Sequence, residues 1–373
     1  MKKVVSIVLN NFVNDSRVLK ENISLQKGGY DVCVVALHEE GLLEREQVQG
    51  IPVYRIRLRS KEWSKNKVVQ LFKYLEFLYR VIRDHKDGDI YHCNDLNALP
   101  VGVMMKKIFN RGVKVVYDSH EYQTQRANIT KMGSKISFYL EKLLLPSCDA
   151  VIVVSDSIAK AYAEDYGIDR PAVILNAPNY RTVRNSAYFK KRYHLGSEDL
   201  VFLYQGRLTR NRGIEKLVEV FDYLPENYHL VLMGHGTEIK SFLESINNKN
   251  VHLHEAVKPE EVLNYTVSAD IGFALIEASC LSYYYCLPNK IFEYTIANIP
   301  MIVSALPEMQ HYVEKNGLGI AVAFDQDADV VARQIIQFCE TDLEQYSKRL
   351  HDTALQFNWE HEEKKLLGIY SCL

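Results

Sequence analysis

The chain has 373 residues, of which 47% are hydrophobic and 25% charged, a globular composition with enough length for two domains of average size. Because no apolar run reaches about 18 residues, we predict no transmembrane helix. The formal net charge is −2, and the seven scattered cysteines lack metal-ligand spacing. This pattern argues against structural zinc and a disulfide framework and favours a reducing, cytoplasmic compartment.

The two halves of the chain carry opposite charge. Residues 1–185 hold 28 Lys and Arg against 21 Asp and Glu, a net +7, whereas residues 186–373 hold 17 against 26, a net −9. A basic first half and an acidic second half predict different binding partners for the two halves.

Short apolar runs alternate with longer amphipathic runs along the first half. This alternation predicts a parallel sheet covered by helices on both faces. We predict strands at Lys3–Leu9, Asp31–Ala36, Val53–Arg57, Ile90–Cys93, Val113–Asp118, Ala150–Val154 and Val173–Leu175. We predict helices at Arg17–Lys27, Lys67–His85, Leu96–Phe109, Lys131–Leu145 and Asp156–Tyr166.

The second half repeats this alternation and predicts another doubly wound α/β unit. The predicted strands are Leu200–Tyr204, His229–Met233, Val251–His254, Ile271–Ala274, Met301–Val303 and Gly319–Val322. The predicted helices are Gly213–Phe221, Glu238–Glu244, Pro259–Ala269, Asn289–Ala297, Pro307–Glu314, Ala328–Thr341 and Trp359–Tyr370. The polar segment Asn179–Ser197 joins the halves. We therefore expect one domain at 1–180, a second at 181–355, and a C-terminal helix in 356–373 that crosses back to the first domain.

Two facing doubly wound domains bind ligands in a cleft at the carboxyl ends of their strands. A histidine between carboxylates, His120, follows one strand of the first half and suits hydrogen bonding to sugar hydroxyls or proton transfer, although a lone histidine is more often structural. Asp15 can also cap the next helix. The other polar residues expected at this cleft are Asn14, Asn94 and Asp95.

Arginines and glycines mark the first two strand ends of the second half. Arg207, Arg210 and Arg212 occupy three of six positions ahead of a helix, and arginine forms forked hydrogen bonds to phosphate. A solvated basic loop is the alternative, but the cluster lies in an acidic half. Gly206, Gly234 and Gly236 predict close approach of the backbone to a ligand.

The stretch from Leu281 to Ile299 contains a proline-started helix. Pro288 fits a first helical turn, and the amides of Asn289, Lys290 and Ile291 then lack helical acceptors. Such a helix start attracts anions, and the charge of Lys290 adds to it. Glu293 lies one turn further on. A core helix with a solvated lysine is the alternative for this stretch alone.

In order and spacing these motifs resemble the retaining, nucleotide-sugar-dependent glycosyltransferases of the GT-B fold, in particular glycosyltransferase family 4 (glycosyl transferases group 1). The resemblance runs from about Lys3 to Tyr370. It rests on NDSRVLKE, HCNDL, YDSHE and CDAVIVVSDSIA in the first half, and on GRLTRNRGIEKL, LVLMGHG, LPNKIFEY and NWEHEEKKL in the second. It implies two Rossmann-like domains, an acceptor-binding one at 1–180 and a donor-binding one at 181–355.

The resemblance also implies residue roles. Arg207 matches the arginine that binds the donor diphosphate, and Arg212 stands where the family usually has a lysine. Glu293 matches the second glutamate of the family's E-x7-E motif, which holds the donor ribose. His120 matches a histidine that contacts the donor sugar and assists catalysis. Asn289 and Lys290 would join the two arginines in stabilising the leaving diphosphate.

One position departs from the family pattern. Tyr285 stands where the first glutamate of the E-x7-E motif is expected, followed by the LPNK run that begins at Leu287. We expect both side chains at the cleft and the donor sugar to be selected there. The resemblance implies a nucleotide-sugar co-substrate and no metal, and no DxD motif is near the predicted cleft.

The basic segment Arg55–Lys86 holds ten Lys and Arg against three Asp and Glu. We expect its apolar helical stripe to pack on the first domain. The excess charge suits contact with an anionic membrane surface at the cytoplasmic side, as a lipid-linked acceptor in surface polysaccharide synthesis would require. The apolar stripe comprises Val68, Leu71, Phe72, Leu75, Leu78, Tyr79 and Ile82.

Three other functions fit parts of the pattern. A nucleotide-sugar epimerase of the same fold would need carboxylates and a second histidine around the sugar. In this chain Tyr285 replaces one of those carboxylates. A catalytically silent nucleotide-sugar-binding subunit would keep the diphosphate residues alone. An oxidoreductase fits least, because neither half has a GxGxxG fingerprint. No feature predicts nucleic-acid binding.

Overall fold

The computed structural model describes every residue except Lys65 and Asn185, the latter in the predicted join. The chain divides into two compact units, one of residues 1–174 and 363–373 and one of residues 175–362. The sequence places these boundaries after residues 180 and 355, so the two divisions differ by six and seven residues.

The first unit contains an eight-stranded sheet in the order β3-β4-β2-β1-β5-β6-β7-β8 among its described residues. All neighbouring strands are parallel except the pair β3 and β4. The central strands are buried on both faces, as the predicted apolar runs require. The strands are β1 Lys3–Ile7, β2 Asp31–Leu37, β3 Arg45–Val48, β4 Ile51–Ile56, β5 Ile90–Asn94, β6 Lys114–Ser119, β7 Ala150–Val153 and β8 Ala172–Val173.

The helices of this unit cover both faces of the sheet. They are α1 Ser16–Lys27, α2 Lys67–Asp84, α3 Leu99–Met104, α4 Lys131–Leu144 and α5 Asp156–Tyr166. Right-handed crossovers in this strand order place α2, α3 and α4 on one face and α1 on the other. The C-terminal helix returns to α1, where Ser24 donates a 2.7 Å hydrogen bond to Glu363.

The first unit differs from the sequence prediction at two places. The edge strand β3 was not expected, because its polar sequence carries no strand signal; a two-residue turn with Gln49 and Gly50 at positive φ pairs it with β4. The single helix predicted at Leu96–Phe109 begins only at Leu99 and continues as a π-helical turn, Met105–Phe109. Asp95 at φ +63° delays the start, and Pro100 fits only the first turn.

The second unit contains a six-stranded parallel sheet in the order β11-β10-β9-β12-β13-β14. Counted along the chain this is 3-2-1-4-5-6, the doubly wound order whose ligand site lies where β9 meets β12. The strands are β9 Leu200–Arg207, β10 Tyr228–His235, β11 Val251–Glu255, β12 Ile271–Ala274, β13 Met301–Ser304 and β14 Gly319–Val322. The sequence ends β9 at Tyr204 and β10 at Met233, so both strands run further than predicted.

Helices cover this sheet on both faces. They are α6 Tyr188–Arg192, α7 Ile214–Phe221, α8 Lys240–Ser245, α9 Val262–Thr266, α10 Leu281–Tyr284, α11 Asn289–Ile296, α12 Pro307–Asn316, α13 Ala328–Cys339 and α14 Ser347–Ala354. The last helix of the chain, α15 Trp359–Ser371, begins in this unit and ends in the first. In the part of the chain that the structure describes, no helix combines the length and apolar character needed to cross a membrane.

Candidate active site

Helix α11 begins at the carboxyl edge of the second sheet. Pro288 is extended, with φ −75° and ψ 149°, and Asn289 starts the helix as an exposed residue. The amide of Ile291 donates to the Pro288 carbonyl at 3.1 Å, which corrects the prediction that this amide lacks a partner. The amides of Asn289 and Lys290 belong to the first helical turn, where backbone amides have no acceptor within the helix. Their partial positive charge favours a negatively charged group next to the start of the helix.

Lys290 is the buried cation of this edge, with only 8% of its surface exposed. Its Nζ lies 3.6 Å from the centroid of the Tyr204 ring. Burial and the nearby Arg212 hold the pKa of Lys290 well below its usual value, although Glu293 acts in the opposite direction. A bound anion would offset both effects by stabilising the charged form of Lys290.

Two arginines accompany this lysine. The Arg212 guanidinium lies 4.8 Å from the centroid of the Tyr283 ring, and its buried Nε has no hydrogen-bond partner among the described residues. Arg207 is exposed at the end of β9, next to Gly206, whose φ of +120° favours glycine. A Cβ on Gly206 would lie 3.9 Å from Lys290 Nζ, which shows how close this strand end comes to the lysine.

A cavity of about 210 Å³ lies beside these cations. Glu293 lines it and accepts a 2.5 Å hydrogen bond from the Gln205 amide, whose oxygen accepts one of 2.8 Å from Thr266. This chain of bonds fixes the carboxylate as an acceptor for a ligand hydroxyl. The rest of the lining is Gly206, Arg207, Met233, Gly234, His235, Ala256, Val257 and Val262.

Close packing against the neighbouring chain segment explains two glycines at the end of β10, Gly234 within the strand and Gly236 just after it. A Cβ on Gly234 would lie 1.8 Å from the Gly206 carbonyl oxygen, and a Cβ on Gly236 would lie 1.6 Å from that of Leu208. Close approach of the neighbouring chain segment is sufficient to require both glycines, and the predicted approach of a ligand stays a prediction. Gly234 still lines the cavity, and the close pairing extends β9 to Arg207.

Tyr285 and Leu287 lie between α10 and α11 and are both half-buried. The amide of Tyr285 donates to the Leu281 carbonyl at 2.9 Å, and its ring centroid lies 5.4 Å from that of Tyr284. Neither residue lines the cavity beside Glu293. Their predicted part in sugar selection stays a prediction.

In the first unit, His120 lies between the carboxylates of Asp118 and Asp95, whereas the sequence places it between Asp118 and Glu121. Its Nε2 lies 3.2 Å from an Asp118 oxygen, and its backbone amide donates to Asp95 at 3.0 Å. Burial disfavours the charged imidazole, but Asp95 and Asp118 outweigh burial and raise the pKa of His120 to about 10. The histidine is therefore an imidazolium at neutral pH and can donate a proton or a hydrogen bond.

Sequence reasoning missed the buried network behind His120. Arg17 donates to both oxygens of Asp118, at 3.0 and 2.9 Å, and its Nε lies 3.0 Å from Glu21. Burial would raise the pKa of Asp118, but Arg17 and His120 hold it well below its usual value; burial raises the pKa of Glu21. The motif NDSRVLKE contains both Arg17 and Glu21. Their partner Asp118 lies 101 residues after Arg17, so the motif alone could not reveal the network.

Glu21, Asp118 and His120 also offer ligand atoms within 4.8 Å of one another. A cation there would compete with the Arg17 guanidinium, which already contacts both carboxylates. The residues present therefore fit an internal ion-pair network better than a metal site.

The remaining predicted residues of the first unit lie at the same sheet edge. Asp15 caps α1 by accepting from the Val18 amide at 3.2 Å, and Asn14 is exposed just before it. Asp95 has a φ of +63° and accepts from Gln123 at 2.5 Å. Asn94 is buried and donates to Ser6 and to the Ile7 carbonyl, both at 3.1 Å, so its amide joins β5 to β1.

The charge on His120 should make stability depend on pH. The raised pKa contributes stability that is complete below the unfolded pKa of about 6.5 and disappears as pH rises through about 10. We expect His120→Gln to cost roughly 2–4 kcal/mol at pH 6 and much less at pH 10. Urea unfolding at both pH values measures this, with the exposed His311→Gln as control. An equal cost at both values would contradict the assignment.

Two family models match this chain. The model of Glycosyltransferase Family 4 matches residues 23–179, and that of Glycosyl transferases group 1 matches residues 187–356. A glycosyltransferase from Methanocaldococcus jannaschii is 22% identical over 364 residues, which cover 93% of this chain and 90% of that protein.

Solved structures of similar architecture cover the whole chain. Sucrose-phosphate synthase from Thermosynechococcus elongatus has a TM-score of 0.81 at 18% identity, covering 100% of this chain and 98% of that one. HepE from Anabaena, in complex with UDP-glucose, has a TM-score of 0.78 at 16% identity and full coverage of both chains. The two family matches and the architecture together identify the chain as a glycosyltransferase of the GT-B fold.

Proposed function

We propose that the chain transfers a sugar from a nucleotide-diphosphate sugar to a hydroxyl acceptor, with retention of the anomeric configuration. The observation that carries this proposal is the second unit's cation cluster: Lys290 buried against Tyr204, with Arg212 beside it and Arg207 at the adjoining strand end. Three cations at an open helix start match the charge of a diphosphate.

The nucleoside fits the cavity beside the cluster. Glu293, held by Gln205, offers a carboxylate to two neighbouring ribose hydroxyls, and apolar Val257 and Val262 offer contacts to a base. The complex of HepE with UDP-glucose supports a uridine nucleotide as the first donor to test.

The transfer exchanges one bond to the anomeric carbon for another. In the proposed reaction the bond from this carbon to the diphosphate oxygen breaks while the acceptor oxygen bonds from the same face. The acceptor proton passes to the departing phosphate oxygen. Lys290, Arg207 and Arg212 stabilise the charge on that diphosphate, so we expect transfer to proceed in the presence of EDTA.

The first unit takes the acceptor in this proposal. His120, charged at neutral pH, is proposed to hydrogen-bond the transferred sugar and assist the transfer. We further propose a glycan or lipid-linked acceptor in surface polysaccharide synthesis, with the basic first half at a membrane surface. The net +7 of residues 1–185 supports this part of the proposal.

A thermal-shift screen of nucleoside diphosphates and nucleotide sugars tests the donor site. A ligand at a hundred times its Kd adds about 2.7 kcal/mol, so we expect at least one nucleotide to raise Tm by roughly 5–10 °C. Arg207→Ala should remove most of that shift, because it deletes a forked contact to phosphate.

Arg210→Ala is the matched control for this screen. Arg210 is an exposed arginine of the same loop that, unlike Arg207, does not line the cavity, so its loss should leave the nucleotide-induced shift unchanged. The absence of any response across the screen, or an Arg207→Ala protein that responds like the wild type, would overturn the donor-site assignment.

A further inference from the structure

Helix α2 exposes a row of large apolar side chains to solvent. Val68, Leu71, Phe72, Leu75 and Tyr79 are 47–64% exposed, at spacings of three and four residues along one face. The expectation that the stripe packs on the first domain is therefore wrong for these five residues, although Leu78 of the same stripe is buried as expected. Leu78 forms the core face of α2 together with Phe77 and Val81, and all three are at most 7% exposed.

Helix α4 shows the same arrangement. Met132, Ile136, Tyr139 and Leu143 are 61–73% exposed and again repeat at three or four residues. The π-helical turn that follows α3 adds two more exposed apolar residues, Ile108 at 64% and Phe109 at 55%. Eleven large apolar side chains on three neighbouring segments are far more than scattered surface residues need.

These segments share one surface. Helices α2, α3 and α4 lie on the same face of the first sheet, and α3 contacts both of its neighbours. Residues that point away from the sheet on these helices consequently face the same side. We call the exposed apolar residues of α2, of Ile108–Phe109 and of α4 the apolar surface.

Basic residues flank the apolar surface along its length. Lys73, Arg80 and Arg83 belong to α2, where Arg80 pairs with Glu76 and Arg83 with Asp84. Lys106 and Lys107 precede Ile108, and three lysines belong to α4. Glu141, the one carboxylate of α4, is buried and accepts hydrogen bonds from three tyrosines, so it adds no acidic group to this surface. The lysines of α4 are Lys131, Lys135 and Lys142.

A cavity of about 620 Å³ lies beside α2 and is rich in arginine. It borders the apolar surface, because the Arg83 guanidinium lies 5.9 Å from the centroid of the Tyr79 ring. Lys3 and three carboxylates, Glu44, Asp84 and Asp87, also line it. The arginines are Arg45, Arg55, Arg57, Arg59, Arg80 and Arg83.

We propose that the apolar surface docks on an anionic lipid bilayer and that the arginine cavity receives lipid phosphates. Apolar side chains bordered by lysine and arginine fit the boundary between acyl chains and anionic headgroups. A second copy of this chain fits less well, since two such surfaces would bring like charges together and protein interfaces are depleted of lysine. The inference deepens the membrane contact proposed above and is independent of the donor chemistry.

Vesicle flotation of the full chain, without any nucleotide, tests this inference. We expect recovery with phosphatidylcholine vesicles that contain about one third phosphatidylglycerol, and little recovery with phosphatidylcholine alone. Leu71→Ser combined with Phe72→Ser, and Ile136→Ser combined with Tyr139→Ser, should each lower the partition coefficient at least about tenfold. Arg57→Ala and Arg59→Ala should each lower it about fivefold.

Tyr223→Ser is the matched control, because Tyr223 is 56% exposed in the second unit and should leave the partition coefficient unchanged. Each variant should keep the wild-type Tm and nucleotide-induced shift, which separates membrane docking from folding and from donor binding. Equal recovery with both vesicle types, or unaltered binding by both double variants, would overturn the inference. Self-association that the double variants abolish, without vesicle binding, would assign the surface to a second copy.

Discussion

Lys290→Met is expected to weaken the proposed binding of UDP about a hundredfold and to lower kcat/KM for the proposed sugar-nucleotide donor about a thousandfold. Lys290 is buried at the start of α11, so solvent would screen its attraction to a diphosphate only weakly. Burial and Arg212 lower the pKa of Lys290, and a bound diphosphate would raise it again by stabilising the charged lysine. Calorimetric titration with UDP measures the first effect. Release of nucleoside diphosphate from the sugar nucleotide that gives the largest thermal shift measures the second.

Methionine keeps the length of the side chain and its contact with Tyr204, so the fold should survive this substitution. Arg210→Met, which removes an exposed charge at the same sheet edge, is the matched control and should change both values less than threefold or so. Normal UDP affinity in the Lys290→Met protein would remove the lysine from the diphosphate site. A loss of equal size in both variants would point to overall charge instead.

Arg17→Met is expected to destabilise the protein by about 3–5 kcal/mol. The substitution removes the buried counter-charge that Glu21 and Asp118 share and leaves His120 as a charged partner of Asp118. It also removes the 2.9 Å bond from Arg17 to the Ile174 carbonyl. Arg17→Lys, which keeps one charge but loses the fork, should cost roughly half as much. The unfolding midpoint in urea measures both.

Arg333→Met is the matched control for this prediction. Arg333 pairs with Asp329 at the same helical spacing, i and i+4, as Arg17 and Glu21, but on an exposed helix face. We expect its loss to leave the midpoint unchanged, since water screens such pairs. If the Arg17 and Arg333 substitutions shift the midpoint equally, burial would not be the reason for the importance of Arg17.

Elements with local signals at both ends were predicted closely. Helix α5 has the predicted bounds, because Ser155 caps its start at the Ile158 amide and Gly167 ends it in the left-handed conformation. The doubly wound class followed from alternating apolar runs. Arg207 and Arg212 followed from their position after a strand, and Lys290 followed from its place at a proline-started helix.

Features that depend on distant partners were not predicted. Strand β3 exists because it pairs with β4, and its own residues carry no strand pattern. The bond from Gln205 to Glu293 joins residues 88 positions apart, and that from Arg17 to Asp118 joins residues 101 apart. Neither bond has a signal in a local window of the chain.

By itself the sequence determined two doubly wound units, the helix start at Asn289 and the basic character of the first half, because these depend on local periodicity, caps and charge. Only the tertiary structure decided which face of α2 meets the core. Helix α2 has two rows of apolar residues. The row containing Phe77 and Val81 packs on the sheet, which leaves Leu71 and Phe72 exposed. Periodicity shows that a helix has an apolar face, whereas contact with the sheet decides which face is buried.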